Sequence, residues 1–136
     1  MKLSAILLSL TLLLFSCSPK LPPDNNWAIG KWVLTELRGV PVQLSGNLNK
    51  NAHLIFETAQ KSYRGFGGCN SIDGKYNISS SKINFTIQST TLAACPDVPF
   101  ETTFLNTLKE VDKYTVTGNL MELKKGRTIL LKLQRK

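Results

Sequence analysis

The sequence predicts a mainly β fold: a small antiparallel, barrel-like sheet with one α-helix. Three observations carry this. Short β-rich or alternating runs recur between tight turn signals from residue 31 to residue 133. One segment, near residues 98–111, switches to helical spacing. The length left for folding, about 110 residues, suits one domain with one core.

The first run is Lys31-Trp32-Val33-Leu34-Thr35-Glu36-Leu37. Strict alternation puts Trp32, Leu34 and Glu36 on one face and Val33, Thr35 and Leu37 on the other. Val40-Pro41-Val42 follows a turn at Gly39, and residues 52–57 are β-rich. Ser62-Tyr63-Arg64-Gly65-Phe66-Gly67-Gly68 alternates large and small side chains. Its glycines signal a sharp bend, a bulge or a close backbone approach. Asp73-Gly74 reads as a turn before Lys75-Tyr76-Asn77-Ile78. In residues 82–87, Ile83, Phe85 and Ile87 point inward. Asp97 and Pro99 then mark a helix start. Phe100, Phe104, Leu105, Leu108 and Val111 form its apolar face. Three strands close the domain at residues 114–117, 120–123 and 128–133, separated by Gly118-Asn119 and Lys125-Gly126.

Upstream of the domain, Lys2 precedes an apolar run from Leu3 to Phe15. The run is too short to span a bilayer core of ~30 Å as a helix, and it has the form of an export signal. Leu14-Phe15-Ser16-Cys17 reads as a lipobox. Signal peptidase II would cut before Cys17, which would carry the lipid. Residues 1–16 are then a signal peptide, 17–26 a polar, proline-rich tether, and 27–136 the folded domain. Acylation at Cys17 would hold the protein on a membrane stably. Ser18 is not the Asp that retains enterobacterial lipoproteins at the inner membrane. The expected location is therefore the cell envelope, on the outer membrane facing the periplasm.

The formal charge is +8, and removing Lys2 with the signal leaves about +7. The basic residues are scattered. The densest group, Lys124-Lys125-Gly126-Arg127, falls in an expected hairpin turn. It reads as a solvated turn rather than a nucleic-acid patch, and an envelope location argues further against nucleic acid. With Cys17 acylated, Cys69 and Cys95 remain as an even pair in an oxidising compartment. A disulfide is the natural reading, with two free buried thiols as the alternative. Closing a loop of about 27 residues would stabilise by roughly 3–4 kcal/mol.

Little in the chain points to catalysis. His53 is the sole histidine and sits in an expected strand. Two cysteines and one histidine do not make a zinc shell. Gly65-Phe66-Gly67-Gly68 lacks the Gly-Lys-Ser/Thr and following helix of a phosphate loop. Asp73 and Asp97 sit where turns and caps favour aspartate. No enzyme, cofactor or metal site is expected.

Several pieces in order resemble the META domain (HslJ-like) family. They are Gly30-Lys31-Trp32-Val33-Leu34, Gly67-Gly68-Cys69-Asn70, Asp73-Gly74-Lys75-Tyr76, and Ser89-Thr90-Thr91-Leu92-Ala93-Ala94-Cys95 followed by a helix. The resemblance covers about residues 27–134. It implies a small, mainly β, barrel-like fold with one helix and no established enzymatic activity. It also implies an exported or lipid-anchored protein linked to stress tolerance, motility and secretion. Gly68, Cys69, Asn70, Thr91 and Cys95 carry over as signature positions. Their expected roles are structural: Gly68 permits a conformation a side chain would block, and Asn70 bonds its own turn.

Two function classes follow. One is a lipid-anchored, monomeric binding module that engages an envelope protein. The other is a carrier that holds a small apolar ligand inside the barrel. The number of large aromatic residues favours a filled interior, and so the first class.

Overall fold

The computed structural model describes residues 25–47, 50–96 and 98–136. Among these, β1 Lys31–Leu37, β2 Val40–Pro41, β3 His53–Glu57, β4 Ser62–Phe66, β5 Ser71–Ser79 and β6 Lys82–Thr90 precede the helix α1 Val98–Glu110. β7 Lys113–Thr117, β8 Leu120–Lys125 and β9 Thr128–Arg135 follow it. The expected signal peptide, Cys17, the tether as far as Asp24, and Asp97 lie outside the described residues.

All nine strands form one antiparallel sheet, and β9 returns to pair with β1, so the hydrogen bonds run in a barrel-like ring. β9 takes one edge of β1. The other edge is shared by β3, at Lys31–Val33, and β2, at Glu36–Leu37. Closing the ring pairs most of the edges that an open sheet would expose. β2 is the strand left with a neighbour on one side alone. The thinnest seam is β6–β7, where Lys82 and Lys113 are the sole register pair. Ile83 N–H donating to Asp112 O at 3.2 Å and Tyr114 N–H donating to Ser81 O at 3.0 Å reinforce it.

Alternation fills the interior as expected along β5 and β6. Ile72, Tyr76, Ile83 and Phe85 are buried and Ile87 is half-buried. Trp32, Leu34, Leu54, Tyr63, Met121, Leu123 and Leu131 complete a dense centre. The helix lays Phe104 and Leu108 on it with no exposed surface, and Phe100 and Leu105 pack at its margin.

Two expectations need correction. Leu37 joins Trp32 and Leu34 in the core instead of facing away from them. A β-bulge causes this: Leu34 pairs with Leu133 and Glu36 with Lys132, so Thr35 is an extra residue that flips the parity. Asp73-Gly74 is no turn, because β5 runs straight through it. Gly74 is needed there because a Cβ would collide with the Thr86 carbonyl and the Tyr63 ring. The partner strand bulges at that point, Asp73 facing Ser89 and Gly74 facing Ile87.

A 3₁₀ turn at Asn25–Ala28 precedes β1, starting inside the stretch expected to be tether. It buries Trp27 against Phe56, Tyr114 and Tyr76, with ring centroids 5.0, 5.5 and 6.0 Å apart. The Trp27 carbonyl accepts the indole N–H of Trp32 at 2.8 Å. The described chain thus enters at one end of β1, and the site described next lies at the other.

Candidate binding surface beside the disulfide

The chain between β4 and β5, Gly67-Gly68-Cys69-Asn70, folds against the first turn of α1. Gly68 has φ +110, and a Cβ there would lie 2.9 Å from the Phe100 ring. Gly67 packs so closely on Glu101 that a Cβ would lie 2.7 Å from its Cγ. Glu101 is 7% exposed. Its carboxylate accepts the backbone N–H of Cys69 at 3.1 Å, that of Asn70 at 2.6 Å, and the Asn70 side-chain amide at 2.8 Å. A carboxylate so engaged holds the loop with charge-assisted bonds.

Asn70, also buried, extends the network. Its Oδ1 accepts the Ala93 N–H at 2.7 Å and the Thr91 hydroxyl at 3.0 Å. Thr91 Oγ1 in turn accepts the Ser71 N–H at 3.1 Å. Cys69 and Cys95 are joined by a disulfide with Cα atoms 5.9 Å apart. The structure therefore brings Gly68, Cys69, Asn70, Thr91 and Cys95 into one cluster. Asn70 does more than bond its own turn, since it ties the β4–β5 loop to α1 and to the segment after β6. Sequence reasoning misses Glu101. Glutamate in a first helical turn is ordinary, because it complements the helix dipole, so its second role leaves no local signal.

Next to this cluster lies a groove of about 700 Å³. It runs between the β1–β2 hairpin and the start of α1. Leu37, Val40, Val42, Ala52 and Phe100 supply apolar lining, and Gly68 lines it too. Arg38, Gln43, Lys50 and Asn51 add polar groups. Both walls are braced. Arg38 donates from Nε to Thr107 Oγ1 at 2.8 Å and pairs with Glu110, tying the hairpin to the helix. Glu110 also meets Lys125 at 3.6 Å. Asn51 bonds both backbone polar groups of Ser45, which fixes the loop after β2.

Three of the exposed apolar residues sit on or next to the segments that line this groove. Six large apolar side chains are exposed among the described residues: Ile29, Val40, Leu44, Leu92, Val98 and Leu120. Val40 lines the groove, Leu44 follows Gln43, and Val98 precedes the lining Pro99. Leu92, 97% exposed, is carried on the loop that Asn70 and the disulfide pin down.

The other sequence candidates lie elsewhere. His53 is buried beside Phe66, with Nδ1 2.7 Å from the Asn51 carbonyl. Burial holds its imidazole below the ordinary value of 6.5. Asp73 is exposed on β5, 3.5 Å from the Ser89 hydroxyl. Lys124 and Lys125 end β8 and Gly126-Arg127 make the turn to β9, with Lys124 paired to Glu122 at 2.9 Å. Among the described residues, no group of three or more His, Cys, Asp or Glu is placed to hold a metal.

Compared with known families, residues 26–136 match the META domain. The chain belongs to the META domain family. No curated protein matches it. Among solved structures, this META domain is similar to a DUF4847 family protein from Bacteroides vulgatus, with TM-score 0.65 and 13% identity. That match covers 82% of this chain and 96% of the other. It is also similar to a protein from Burkholderia xenovorans, with TM-score 0.64 and 24% identity over 89% and 96% of the two chains. At these identities the likeness shows the fold alone.

Proposed function

We propose that this META domain is a lipid-anchored, non-enzymatic binding module of the cell envelope, and that it engages a partner protein through the groove and the apolar loop ends beside the disulfide. The observation that carries the reading is the groove itself, braced on both walls, lined by apolar Leu37, Val40, Val42 and Phe100, with exposed Leu44 and Val98 on the adjoining segments. Leu92, 97% exposed, adds an apolar side chain on the loop held by the disulfide and the buried Asn70. The position suits an anchored protein. The described chain enters at Asn25, before β1, and the groove lies past the far end of that strand, about 20 Å away at an ordinary strand rise. A lipid on Cys17 would leave the groove turned toward the envelope space. The packed interior supports this reading over a carrier that holds its ligand within the ring. A place among envelope assembly or stress factors fits the same picture.

Two experiments test it. Cys17→Ala should block signal-peptide removal and the incorporation of labelled palmitate. Palmitate entering that variant would refute the anchor. A photo-crosslinking residue placed at Leu92 or Val98 in living cells should yield a discrete adduct, while the same residue at Thr115 or Thr117 should not. Equal crosslinking at all four positions would refute the assigned surface.

A further inference from the structure

We infer that the groove takes an extended peptide by strand addition to the free edge of β2, with apolar side chains entering the slot and a carboxylate meeting Lys50. This rests on the binding-module reading and names its ligand class. The backbone pattern provides the first argument. Arg38 and Gly39 have φ of +49 and +81 and close a two-residue turn between Leu37 and Val40. Val42 N–H donates to Thr35 O at 2.9 Å. Val40 and Val42 therefore direct their polar groups at β1. The alternation of an antiparallel ladder turns those of Pro41 and Gln43 the other way.

Pro41, Val42 and Gln43 all line the groove, so a chain added along this edge would lie beside it. Among the described residues, the Gln43 N–H has no partner. The edge thus offers an acceptor at Pro41 and a donor and acceptor at Gln43, a short, defined ladder. Pro41 supplies no N–H of its own, which limits pairing and protects the edge from indiscriminate aggregation. Among the described residues β2 is the strand with a neighbour on one side alone, while β6 and β7 meet at a single register pair, so their facing edges are the other short opening in the ring.

Side-chain chemistry provides the second argument. A peptide laid along β2 would present alternate residues to Leu37, Val40 and Phe100, as strand-addition sites do. Lys50 is exposed and lines the same groove. Arg38 is already committed to Glu110 and Thr107. Among the described residues lining the groove, Lys50 is therefore the cation available to a ligand carboxylate, and the net charge of about +7 left once Lys2 is removed favours an acidic partner at longer range.

The test uses the full-length chain, purified from membranes in detergent, and a library of heptapeptides with Val, Leu or Phe at alternate positions and Glu or Lys at the ends. The chain should retain Glu-ended members over Lys-ended ones. The selected peptide should slow exchange of the Gln43 amide hydrogen. Methylating the peptide's alternate amide nitrogens on the ladder side should abolish binding, while methylating the other set should not. Lys50→Glu should weaken binding about threefold to tenfold, the scale of an exposed ion pair reversed in sign, with no change in melting temperature. Four results would overturn the inference: retention of no peptide, indifference to methylation, a preference for Lys-ended members, or protection of Gln43 by self-association without peptide. Crosslinking at Leu92 and Val98 reads out the binding module independently of all four, so failure of the peptide mode and failure of the module are distinguishable.

Discussion

Replacing Glu101 probes the device that holds the groove's border together. Its carboxylate accepts three hydrogen bonds, at 2.6, 2.8 and 3.1 Å, from the β4–β5 loop. A bond to a charged acceptor contributes roughly 1.5–3 kcal/mol, and a buried donor left unpaired costs about as much as it loses. The three do not add fully, because Cys69 N–H is partly buried and can turn to water. Glu101→Ala should therefore cost about 3–5 kcal/mol, a large share of the roughly 5–15 kcal/mol typical of a domain. Glu101→Gln keeps the shape and can keep its carbonyl on the two backbone donors, but sets its amide N–H₂ against the Asn70 side-chain amide, so about 1–3 kcal/mol is expected. Urea unfolding with the disulfide intact would measure both. Amide exchange at Cys69 and Asn70 should quicken in the same order. A loss below about 1 kcal/mol in Glu101→Ala, with exchange unchanged at those two amides, would refute the reasoning and leave the carboxylate a bystander.

Three further outcomes follow from the same structure. Reducing Cys69–Cys95 should remove roughly 3–4 kcal/mol and lower the melting temperature by more than about ten degrees, at about 4–8 °C per kcal/mol; two thiols titrating in the unreduced protein would contradict the bond. Phe104→Ala empties a fully buried site at the centre of the helix contact and should cost about 3–5 kcal/mol; a change under about 1 kcal/mol in urea unfolding would mean the face is not packed. His53 has its pKa lowered by burial, so the unfolded chain takes up the proton first as pH falls. Stability should be flat above the ordinary value of 6.5, decline as pH drops below it, and level off once below the folded value. His53→Gln should lose that slope, and an unchanged slope would assign it to other groups.

Much of the fold was legible because β5, β6 and the last hairpins obey a period of two, and α1 a period near 3.6. The failures have physical causes. One extra residue at Thr35 reverses the parity of Leu37, and no local pattern announces a bulge. Asp73-Gly74 has turn chemistry, yet the glycine is there for a close approach to Thr86 and Tyr63 that exists only once the ring closes. Trp27 stands among asparagines with no periodic neighbours, and its aromatic partners come from three distant strands.

The candidate surface was harder to read for a related reason. The five signature positions could be picked out by resemblance, but the groove is assembled from residues 37–43, 50–52 and 99–103, and no run in the sequence joins them. What joins them is the helix. Glu101 and Phe100 fix the β4–β5 loop from its first turn, while Thr107 and Glu110 fix the β1–β2 hairpin through Arg38 further along. The disulfide adds a covalent tie between the loop and the segment leading into that helix. The two walls of the groove are thus held by opposite ends of one rigid element. A change that loosens α1 should release both walls of the groove together, and should open the ring first at β6–β7, the seam the helix leads across and the weakest pairing in the sheet.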